Sequence, residues 1–297
     1  MFHVKLMEKL SNCPVCGHTH FIPFLNAKDH TVSQEQFQLV ECQQCGFVFT
    51  NPRPAQENLG KYYKSLNYVS HSDTSAGFIN KLYKQVRKIT LNQKYKLIKP
   101  YLENNNLLDI GSGAGAFLNA VKQKGVDVFG VEPDTETREI SIKKFGINVR
   151  NESALREFEP DFFSVITMWH VLEHVHNLEE RIKDIKRILA PKGRLFVAVP
   201  NHTSFDALYY KEHWAAYDVP RHLYHFTPVT IRKLFNSHNM VVEQVLPMKF
   251  DSFYVSMLSE QYRTGKPNML KGILSGLKSN FKADEDSFSS QIYVIKR

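Results

Sequence analysis

Short apolar segments alternate with longer amphipathic ones from about residue 106 onwards. Apolar runs of roughly four to eight residues are typical of buried strands, and apolar residues spaced three and four apart are typical of helices. The pattern predicts strands at 107–110, 127–131, 147–150, 162–169 and 194–199, and helices at 115–124, 134–145 and 177–190. Pro191-Lys-Gly193 predicts the turn before the last of these strands. This βαβ rhythm predicts an α/β fold with a doubly wound, mostly parallel sheet.

Three further patterns lie outside that central region. Residues 75–99 place Phe78, Leu82 and Val86 at helical spacing, with lysines on another side. Two more strands are predicted at 240–246 and 291–295. The amphipathic stretch 268–278 predicts either a helix packed on the sheet, which we favour, or a lid over a hydrophobic ligand.

Composition excludes few classes of protein but does exclude a helical membrane protein. The chain has 297 residues, of which 42% are hydrophobic and 23% charged. No apolar run reaches the roughly 18–20 residues that cross a bilayer, and the N-terminal MFHVKLMEKL lacks the apolar stretch of a secretory signal. We therefore expect a cytoplasmic protein with no membrane span.

The net charge of +8 is concentrated in the first third of the chain. Residues 1–100 contain 13 Lys and Arg against 6 Asp and Glu. A basic surface of this kind can bind an anionic partner such as nucleic acid or a phosphorylated substrate. A solvated basic surface without such a partner is the interpretation we favour.

The four cysteines form two matched pairs, Cys13-Pro-Val-Cys16 and Cys42-Gln-Gln-Cys45. A two-residue spacer lets both sulfurs of a tight turn reach one tetrahedral metal, and a glycine follows each pair, where a turn needs a positive φ. The 25 residues between the pairs suffice for a hairpin that brings the turns together. The spacing predicts a structural zinc ion with no open coordination position, bound by Cys13, Cys16, Cys42 and Cys45.

A glycine-rich loop follows the first central strand, in the sequence LLDIGSGAG that begins at Leu107. Glycines at such a place allow a tight turn and a close approach of ligand to backbone. The dinucleotide fingerprint is also satisfied, by Gly111-x-Gly113-x-x-Ala116. Asp109 favours a cationic ligand over a pyrophosphate, and Glu132 after the second strand suits a ribose diol. The loop therefore predicts nucleoside binding.

The runs LLDIGSGAG, GVEPD, WHVLEHV and LAPKGRLFVAVPN occur in that order between residues 107 and 201. Together they resemble the seven-stranded class I S-adenosylmethionine-dependent methyltransferases, and more narrowly the group that includes ubiquinone-biosynthesis O-methyltransferase-like enzymes. The resemblance extends over roughly residues 90–245. A zinc ribbon followed by a methyltransferase domain is also similar to some sugar C-methyltransferases and some rRNA methyltransferases.

The resemblance implies a set of cofactor-binding residues. Asp109 and the glycine loop would surround the methionine and ribose parts of S-adenosylmethionine, Glu132 would bind the ribose hydroxyls and Glu152 would meet the adenine. Phe163-Ser164 departs from the family's usual Phe-Asp before the fourth strand. The complete implied set is Asp109, Gly111, Ser112, Gly113, Gly115, Glu132, Glu152 and Trp169.

The resemblance and the cysteine pairs together predict a domain organisation. Residues 1–54 would form the zinc ribbon and residues 55–100 a helical linker or lid. Residues 101–297 would form the methyltransferase domain, with substrate-side insertions at about 201–230 and 251–288.

Methyl transfer to a hydroxyl, amine or carbon acid requires a group that accepts a proton. Two histidine-rich segments follow the fourth and fifth strands, WHVLEH from Trp169 and the segment from Trp214 to Phe226. We expect His222 or His225 to be the general base, with His170 as a further candidate. Trp214 and Tyr217 would line the acceptor pocket. Histidines that only cap or bridge loops are the alternative interpretation for each.

The predicted function is methyl transfer from S-adenosylmethionine to a small molecule, by O- or C-methylation of a sugar, quinone or lipid precursor. Three alternatives stay open. The chain can be an RNA methyltransferase whose basic ribbon grips nucleic acid, a non-catalytic S-adenosylmethionine-binding scaffold, or a dinucleotide oxidoreductase. The sequence lacks an Asn-Pro-Pro-Tyr-like motif after the fourth strand, which argues against base N-methylation of nucleic acid.

Overall fold

The computed structural model describes residues 6–63 and 78–297, with side chains of the first helix described from residue 85 onwards. Residues 75–77 of the predicted first helix lie outside this range. The remainder of that prediction is confirmed by a long helix. The elements of this part of the chain are β1 (Met7–Glu8), β2 (Phe21–Lys28), β3 (Gln36–Cys42), β4 (Val48–Thr50), β5 (Arg53–Pro54) and α1 (Phe78–Ile98).

The central region alternates strands and helices as the sequence pattern predicts. All five predicted strands and all three predicted helices are present, with their ends shifted by a few residues. The elements are β6 (Asn106–Ile110), α2 (Ala116–Lys122), β7 (Asp127–Val131), α3 (Thr135–Phe145), β8 (Asn148–Arg150), α4 (Ala154–Glu157), β9 (Phe163–Trp169), α5 (Leu178–Ile188) and β10 (Leu189–Pro200).

The C-terminal region contains both strands predicted near the end of the chain, together with helices between and before them. Its elements are α6 (Phe205–Tyr210), β11 (Tyr224–His225), α7 (Pro228–Ser237), β12 (Val241–Pro247), α8 (Asp251–Thr264), α9 (Met269–Lys282) and β13 (Ser290–Lys296). Among the described residues, no helix has both the length and the apolar character needed to cross a bilayer.

Seven strands form one sheet in the order β12-β13-β10-β9-β6-β7-β8. β6 runs parallel to β7 and to β9, and β7 runs parallel to β8. β6 is buried apart from its first residue, as expected of a parallel strand covered on both faces. The direction of strand addition reverses between β6 and β9, and ligands of such sheets bind at this switch point, beyond the carboxyl ends of the strands. This topology confirms the predicted fold class.

One local prediction is wrong. Pro191-Lys-Gly193 does not separate helix from strand as a turn, because β10 already begins at Leu189 and continues through these residues. Pro191 and Lys192 are exposed, and an extended backbone accepts proline where no ladder hydrogen bond from its nitrogen is needed. The preceding helix α5 consequently ends at Ile188.

The described residues separate into two compact units. The first comprises residues 6–63, Leu172–Glu179 and Ala198–Tyr293, and the second comprises residues 78–171, Glu180–Val197 and Val294–Arg297. The first unit contains a four-stranded sheet in the order β11-β4-β3-β2. β2 and β3 form the antiparallel hairpin expected between the two cysteine pairs. The predicted domain boundaries at residues 54 and 100 stay a prediction.

A buried charge network holds the first unit together. The guanidinium of Arg221 donates to both Asp29, at 3.2 Å, and Asp218, at 2.5 Å, and also to the backbone carbonyl of Tyr62. Burial would raise the pKa of Asp29, but backbone hydrogen bonds from the Ser33 turn and the Arg221 charge outweigh it and lower the pKa to about 2. The ionised carboxylate is therefore the form that stabilises the fold.

Replacing Asp29 by asparagine is expected to destabilise the protein by about 2–5 kcal/mol at pH 7, because a buried arginine loses half of its countercharge. The native contribution is complete above the unfolded pKa of 3.8 and is lost as the pH falls towards 2. The difference in unfolding free energy between wild type and Asp29→Asn should shrink over that range. Denaturant unfolding as a function of pH measures it, with exposed Asp286→Asn as the matched control. A difference that persists at pH 2 would contradict the charge network.

Candidate functional site

The loop after β6 is built around glycines that no other residue can replace without strain. Gly111, Gly113 and Gly115 all have positive φ, of 72°, 53° and 76°. A Cβ on Gly111 would lie 2.4 Å from a methyl carbon of Val171, and one on Gly115 would lie 2.1 Å from the Ser141 hydroxyl. Two of the glycines are therefore required by packing within the second unit, and they fix the path of the loop.

Gly113 is different, because an added Cβ would meet nothing within 4 Å. Space next to a backbone in this conformation is what a closely approaching ligand needs. The Gly113 amide donates to Glu132 Oε2 at 2.9 Å, and the Asp134 amide donates to Glu132 Oε1 at 3.0 Å. Glu132, at the end of β7, is thus oriented by the loop itself. Burial raises the pKa of Glu132.

Asp109 is the last polar residue of β6 before the loop, and its side chain is buried. It accepts a hydrogen bond of 2.6 Å from the Thr167 hydroxyl on β9. Burial raises the pKa of Asp109 to about 7, against the opposing effects of the Thr167 hydrogen bond and the Lys94 charge. A cationic ligand beside this carboxyl would favour its ionised form.

Two buried polar atoms at the switch point have no hydrogen-bond partner in the described part of the chain. They are the Ser112 hydroxyl, in the glycine loop, and the Trp169 indole nitrogen, at the end of β9. Buried polar atoms without a partner are rare and call for a missing ligand or water. The Lys94 ammonium lies 4.2 Å from the centre of the Trp169 ring. The orphaned atoms therefore fit a polar ligand bound along the loop.

Two other predicted residues lie in the same unit but make different contacts. Glu152, after β8, forms an ion pair with Arg181 at 2.5 Å. His170 follows β9 directly and has a positive φ of 57°, which is uncommon outside glycine. The segment after it is a single 3-10 turn at Leu172–His174, so His170 is not on a regular helix with Glu173.

A second cluster, composed of Glu173, His174 and His222, lies in the first unit. The ligand atoms of these three side chains lie within 4.8 Å of one another. His222 Nδ1 is 2.8 Å from the Ala216 carbonyl oxygen and His174 Nδ1 is 3.0 Å from that of Arg221. A carbonyl only accepts, so each Nδ1 carries the hydrogen and each Nε2 of the neutral ring has a lone pair.

Two carboxylates lie near Nε2 of His222. This atom is 4.0 Å from Glu173 Oε1 and 3.9 Å from Asp218 Oδ2. Ligands of one tetrahedral metal with bonds of 2.1 Å would be closer, at about 3.4 Å. The cluster therefore fits a histidine paired with carboxylates better than a preformed metal site. Burial, followed by the His222 charge, lowers the pKa of His174 to about 4.

His225 and the two predicted aromatic residues are core residues of the first unit. Burial lowers the pKa of His225 well below its ordinary value, and its Nε2 lies 3.4 Å from the Thr50 hydroxyl. Trp214 and Tyr217 belong to the hydrophobic core with Leu39 and Val48, and the Trp214 indole donates to Asp206 at 2.8 Å. His225 is therefore poorly suited to accept a proton. His222 differs in its contacts, because its Nε2 lies near two carboxylates.

The four cysteines converge as their spacing predicts. Sγ of Cys13 is 3.5 Å from that of Cys45, and Sγ of Cys16 is 3.6 Å from that of Cys42. Four sulfurs around one zinc ion at 2.3 Å are about 3.8 Å apart. Gly17 and Gly46 take positive φ and donate to the carbonyls of Cys13 and Cys42. Both turns therefore have the geometry of a tetrahedral thiolate site.

Several residues that complete these sites were not among the predicted site residues. Thr167 and Lys94 act on Asp109, and Asp218 and Glu173 act on His222. The sequence did offer a reason to consider Glu173, because this carboxylate lies between the two histidines of the WHVLEH run. No sequence pattern pointed to Thr167 or Lys94. Thr167 is identified by the pairing of β6 with β9, and Lys94 by the path of α1.

The strand order, the glycine loop after the first strand and the acidic residue after the second define the seven-stranded methyltransferase class of α/β proteins. A family model described as "Methyltransferase domain" matches residues 83–245, which is more than half of the 297 residues. The chain therefore belongs to this methyltransferase domain family.

Named relatives agree with that assignment. Ubiquinone biosynthesis O-methyltransferase from Pseudomonas fluorescens (strain Pf0-1) is 30% identical over 107 residues, covering 34% of this chain and 46% of that protein. The protein of the same name from Pelagibacter ubique is also 30% identical over 107 residues and is covered to 45%. The chain thus matches about half the length of these curated relatives.

A solved structure shares the fold. The geranyl diphosphate C-methyltransferase of Streptomyces coelicolor A3(2), in complex with Mg²⁺, geranyl diphosphate and S-adenosyl-L-homocysteine, has a TM-score of 0.51 to this chain. The alignment covers 78% of this chain and 89% of that chain at 14% identity. At this level of identity the similarity shows the fold alone.

Proposed function

We propose that this chain binds S-adenosylmethionine at the glycine loop and transfers its methyl group to a small-molecule acceptor. The observation that carries the proposal is the open space beside Gly113, next to a Glu132 carboxylate that the loop itself orients. Membership of the methyltransferase domain family supports it, as do relatives named O-methyltransferases. The acceptor would be a sugar, quinone or lipid precursor, methylated at oxygen or carbon.

Each residue of the site fits a part of this cofactor. The Glu132 carboxylate would accept hydrogen bonds from the ribose hydroxyls. Asp109 would face the positively charged methionine portion, and Gly111 to Gly115 would provide the close backbone approach. The orphaned Ser112 hydroxyl and Trp169 indole nitrogen would gain partners. Glu152 would have to share its carboxylate with Arg181 in order to meet the adenine.

Bound S-adenosylmethionine supplies a methyl group that is already activated towards in-line displacement. The chain must then hold the acceptor atom about 3–3.5 Å from the methyl carbon and remove a proton from it. We assign proton removal to Nε2 of His222, since its hydrogen is held at Nδ1 by Ala216. Glu173 and Asp218 would stabilise the resulting imidazolium. His225, which is buried, and His170, in the other unit, are the alternative bases.

Replacing Glu132 by glutamine is expected to weaken binding of S-adenosylhomocysteine about 10- to 100-fold, because a charged acceptor of ribose hydrogen bonds is lost. The matched control is Glu136→Gln, an exposed carboxylate in the first turn of α3, which should bind as the wild type does. Isothermal titration calorimetry measures both. Equal affinity of wild type and Glu132→Gln for S-adenosylhomocysteine would show that the Glu132 charge does not contribute to cofactor binding.

We also propose that the four cysteines bind one structural zinc ion and that residues 1–54 form the zinc ribbon. Support comes from the sulfur spacing and from the two turns at Gly17 and Gly46. Four thiolates fill the coordination shell, so the ion would have no part in the chemistry. Residues 55–100 would be a linker or lid, and residues 101–297 the methyltransferase domain with its insertions.

A further inference from the structure

Helix α9 is an amphipathic helix whose apolar face is turned to solvent. Its buried positions are small residues, Gly272, Gly276 and Ser279. Its large apolar side chains are all exposed, and Phe281 at 91% is more exposed than any other large apolar residue of the described chain. The exposed set is Met269, Leu270, Ile273, Leu274, Leu277 and Phe281. A surface helix normally has the opposite arrangement.

The glycines explain why the helix is held in this orientation. α9 packs on α8 so closely that a Cβ on Gly272 would lie 2.6 Å from the Met257 Cα, and one on Gly276 would lie 2.8 Å from the Phe253 Cα. Turning the leucines inward would therefore require the two helices to separate. The small residues fix one face of α9 against α8 and leave the apolar face exposed.

The exposed leucines follow the spacing of a coiled-coil seam. Leu270, Leu274, Leu277 and Phe281 are separated by four, three and four residues, as the a and d positions of a heptad repeat are. This spacing is also symmetric about the midpoint between Leu274 and Leu277. An antiparallel copy of the same helix would therefore present the same stripe in register.

We propose that α9 is the contact surface for a second copy of this chain, related by a two-fold axis that crosses the helix between Leu274 and Leu277. Such an interface is isologous, with each patch complementary to itself. Leu270 would pack on Phe281 of the partner subunit, and Leu274 on Leu277 of the partner subunit. The seam runs the length of 14 residues, or about 21 Å.

The charges at the ends of α9 agree with this pairing. Lys266 precedes the helix, and Asp284, Glu285 and Asp286 follow it. An antiparallel partner brings its acidic residues to the end of α9 that Lys266 precedes, so opposite charges meet at both ends of the seam. Lys278 and Lys282 point away from the seam, with their ammonium groups 5.3 Å and 4.7 Å from the centre of the Phe205 ring.

Sedimentation velocity of the full chain over a range of micromolar concentrations tests the proposal. We expect the wild type to reach twice the monomer mass of 34.4 kDa and the double variant Leu274→Glu with Leu277→Glu to stay monomeric. The control carries Ile140→Glu and Ile142→Glu, exposed apolar positions on α3, and should dimerise as the wild type does. Unchanged S-adenosylhomocysteine affinity and an unchanged far-UV circular dichroism spectrum would show that the variants are folded.

Three results would overturn the proposed dimer interface. A wild type that stays monomeric, or a double variant that dimerises normally, would exclude this interface. A monomeric wild type that floats with phosphatidylglycerol vesicles, with flotation lost in the double variant and at high salt, would assign the face to lipid instead.

Cross-linking tests the register. The variant with Leu270→Cys and Phe281→Cys should give a covalent dimer under mild oxidation. In the proposed register, position 270 of one subunit faces position 281 of the partner subunit. These positions are about 16 Å apart on one helix, so they cannot pair within a chain. Leu270→Cys alone should cross-link no more than wild type. Equal cross-linking of the single and double variants would contradict the antiparallel register.

Discussion

Replacing Cys42 by serine is expected to abolish zinc binding and to unfold the ribbon hairpin. Cys42 is the last residue of β3, pairs with Phe21 of β2 and is buried. Phe37 and Leu39 of the hairpin belong to the core of the first unit, but zinc-finger peptides gain about 10–16 kcal/mol from their metal, and loss of one ligand removes that contribution. Metal analysis should fall from one zinc per chain to none. The melting temperature should fall with it.

The loss is expected to extend through the first unit. Lys233 of α7 donates to the Cys45 carbonyl at 3.2 Å, and the Thr50 hydroxyl at the end of β4 donates to the His222 carbonyl at 3.1 Å. The control is His20→Ala, an exposed residue beside the first turn, which should retain both zinc and stability. One zinc per chain in purified Cys42→Ser would contradict a four-cysteine site.

Replacing His222 by asparagine is expected to lower kcat by about 10²–10⁴ while leaving S-adenosylhomocysteine affinity unchanged, because the proton acceptor is lost. The asparagine amide can still donate to the Ala216 carbonyl, so the local fold is kept. Once methyl labelling of a cell extract has identified the acceptor, initial-rate kinetics with that acceptor measures the loss of kcat. His213→Asn, in the 3-10 turn that precedes Trp214, is the matched control and should keep wild-type kcat.

Glu173→Gln extends this test to the group that faces His222. The substitution preserves size but removes the charge that stabilises the imidazolium, so kcat should fall with cofactor affinity unchanged. A His222→Asn variant with wild-type kcat would refute His222 as the base. A loss of kcat in His225→Asn or His170→Asn alone would move the assignment to that residue.

The fold was largely predictable because its strongest signals are local. The apolar runs at β6, β7 and β9 fix the strands, and Gly111 and Gly115 mark the turn after β6 by their required backbone conformation. The cysteine pairs were likewise predictable as one site. The two-residue spacing within each pair predicts a metal-binding turn, and two matched pairs supply four ligands. These features need only a few consecutive residues to be recognised.

The remaining features depend on contacts between distant parts of the chain. Arg221 pairs with Asp29 across 192 positions, and nothing near either residue predicts the partner. The pairing of β11 with β4 could not be predicted from the spacing of apolar residues, because β11 has only two residues. For α9 the sequence predicted an amphipathic helix packed on the sheet, and the helix is present, but its close packing on α8 was not predicted. The glycines on its polar side decide which face packs on α8.

Transfer of a labelled methyl group tests directly whether this chain methylates a small molecule. The purified protein would be incubated with S-adenosylmethionine labelled on its methyl group and an extract of the source cells, in parallel with Glu132→Gln. We expect label in a low-mass, solvent-extractable fraction, and strongly reduced labelling with the variant. Label released by nuclease, or no transfer by a wild type that binds S-adenosylhomocysteine, would contradict a small-molecule methyltransferase.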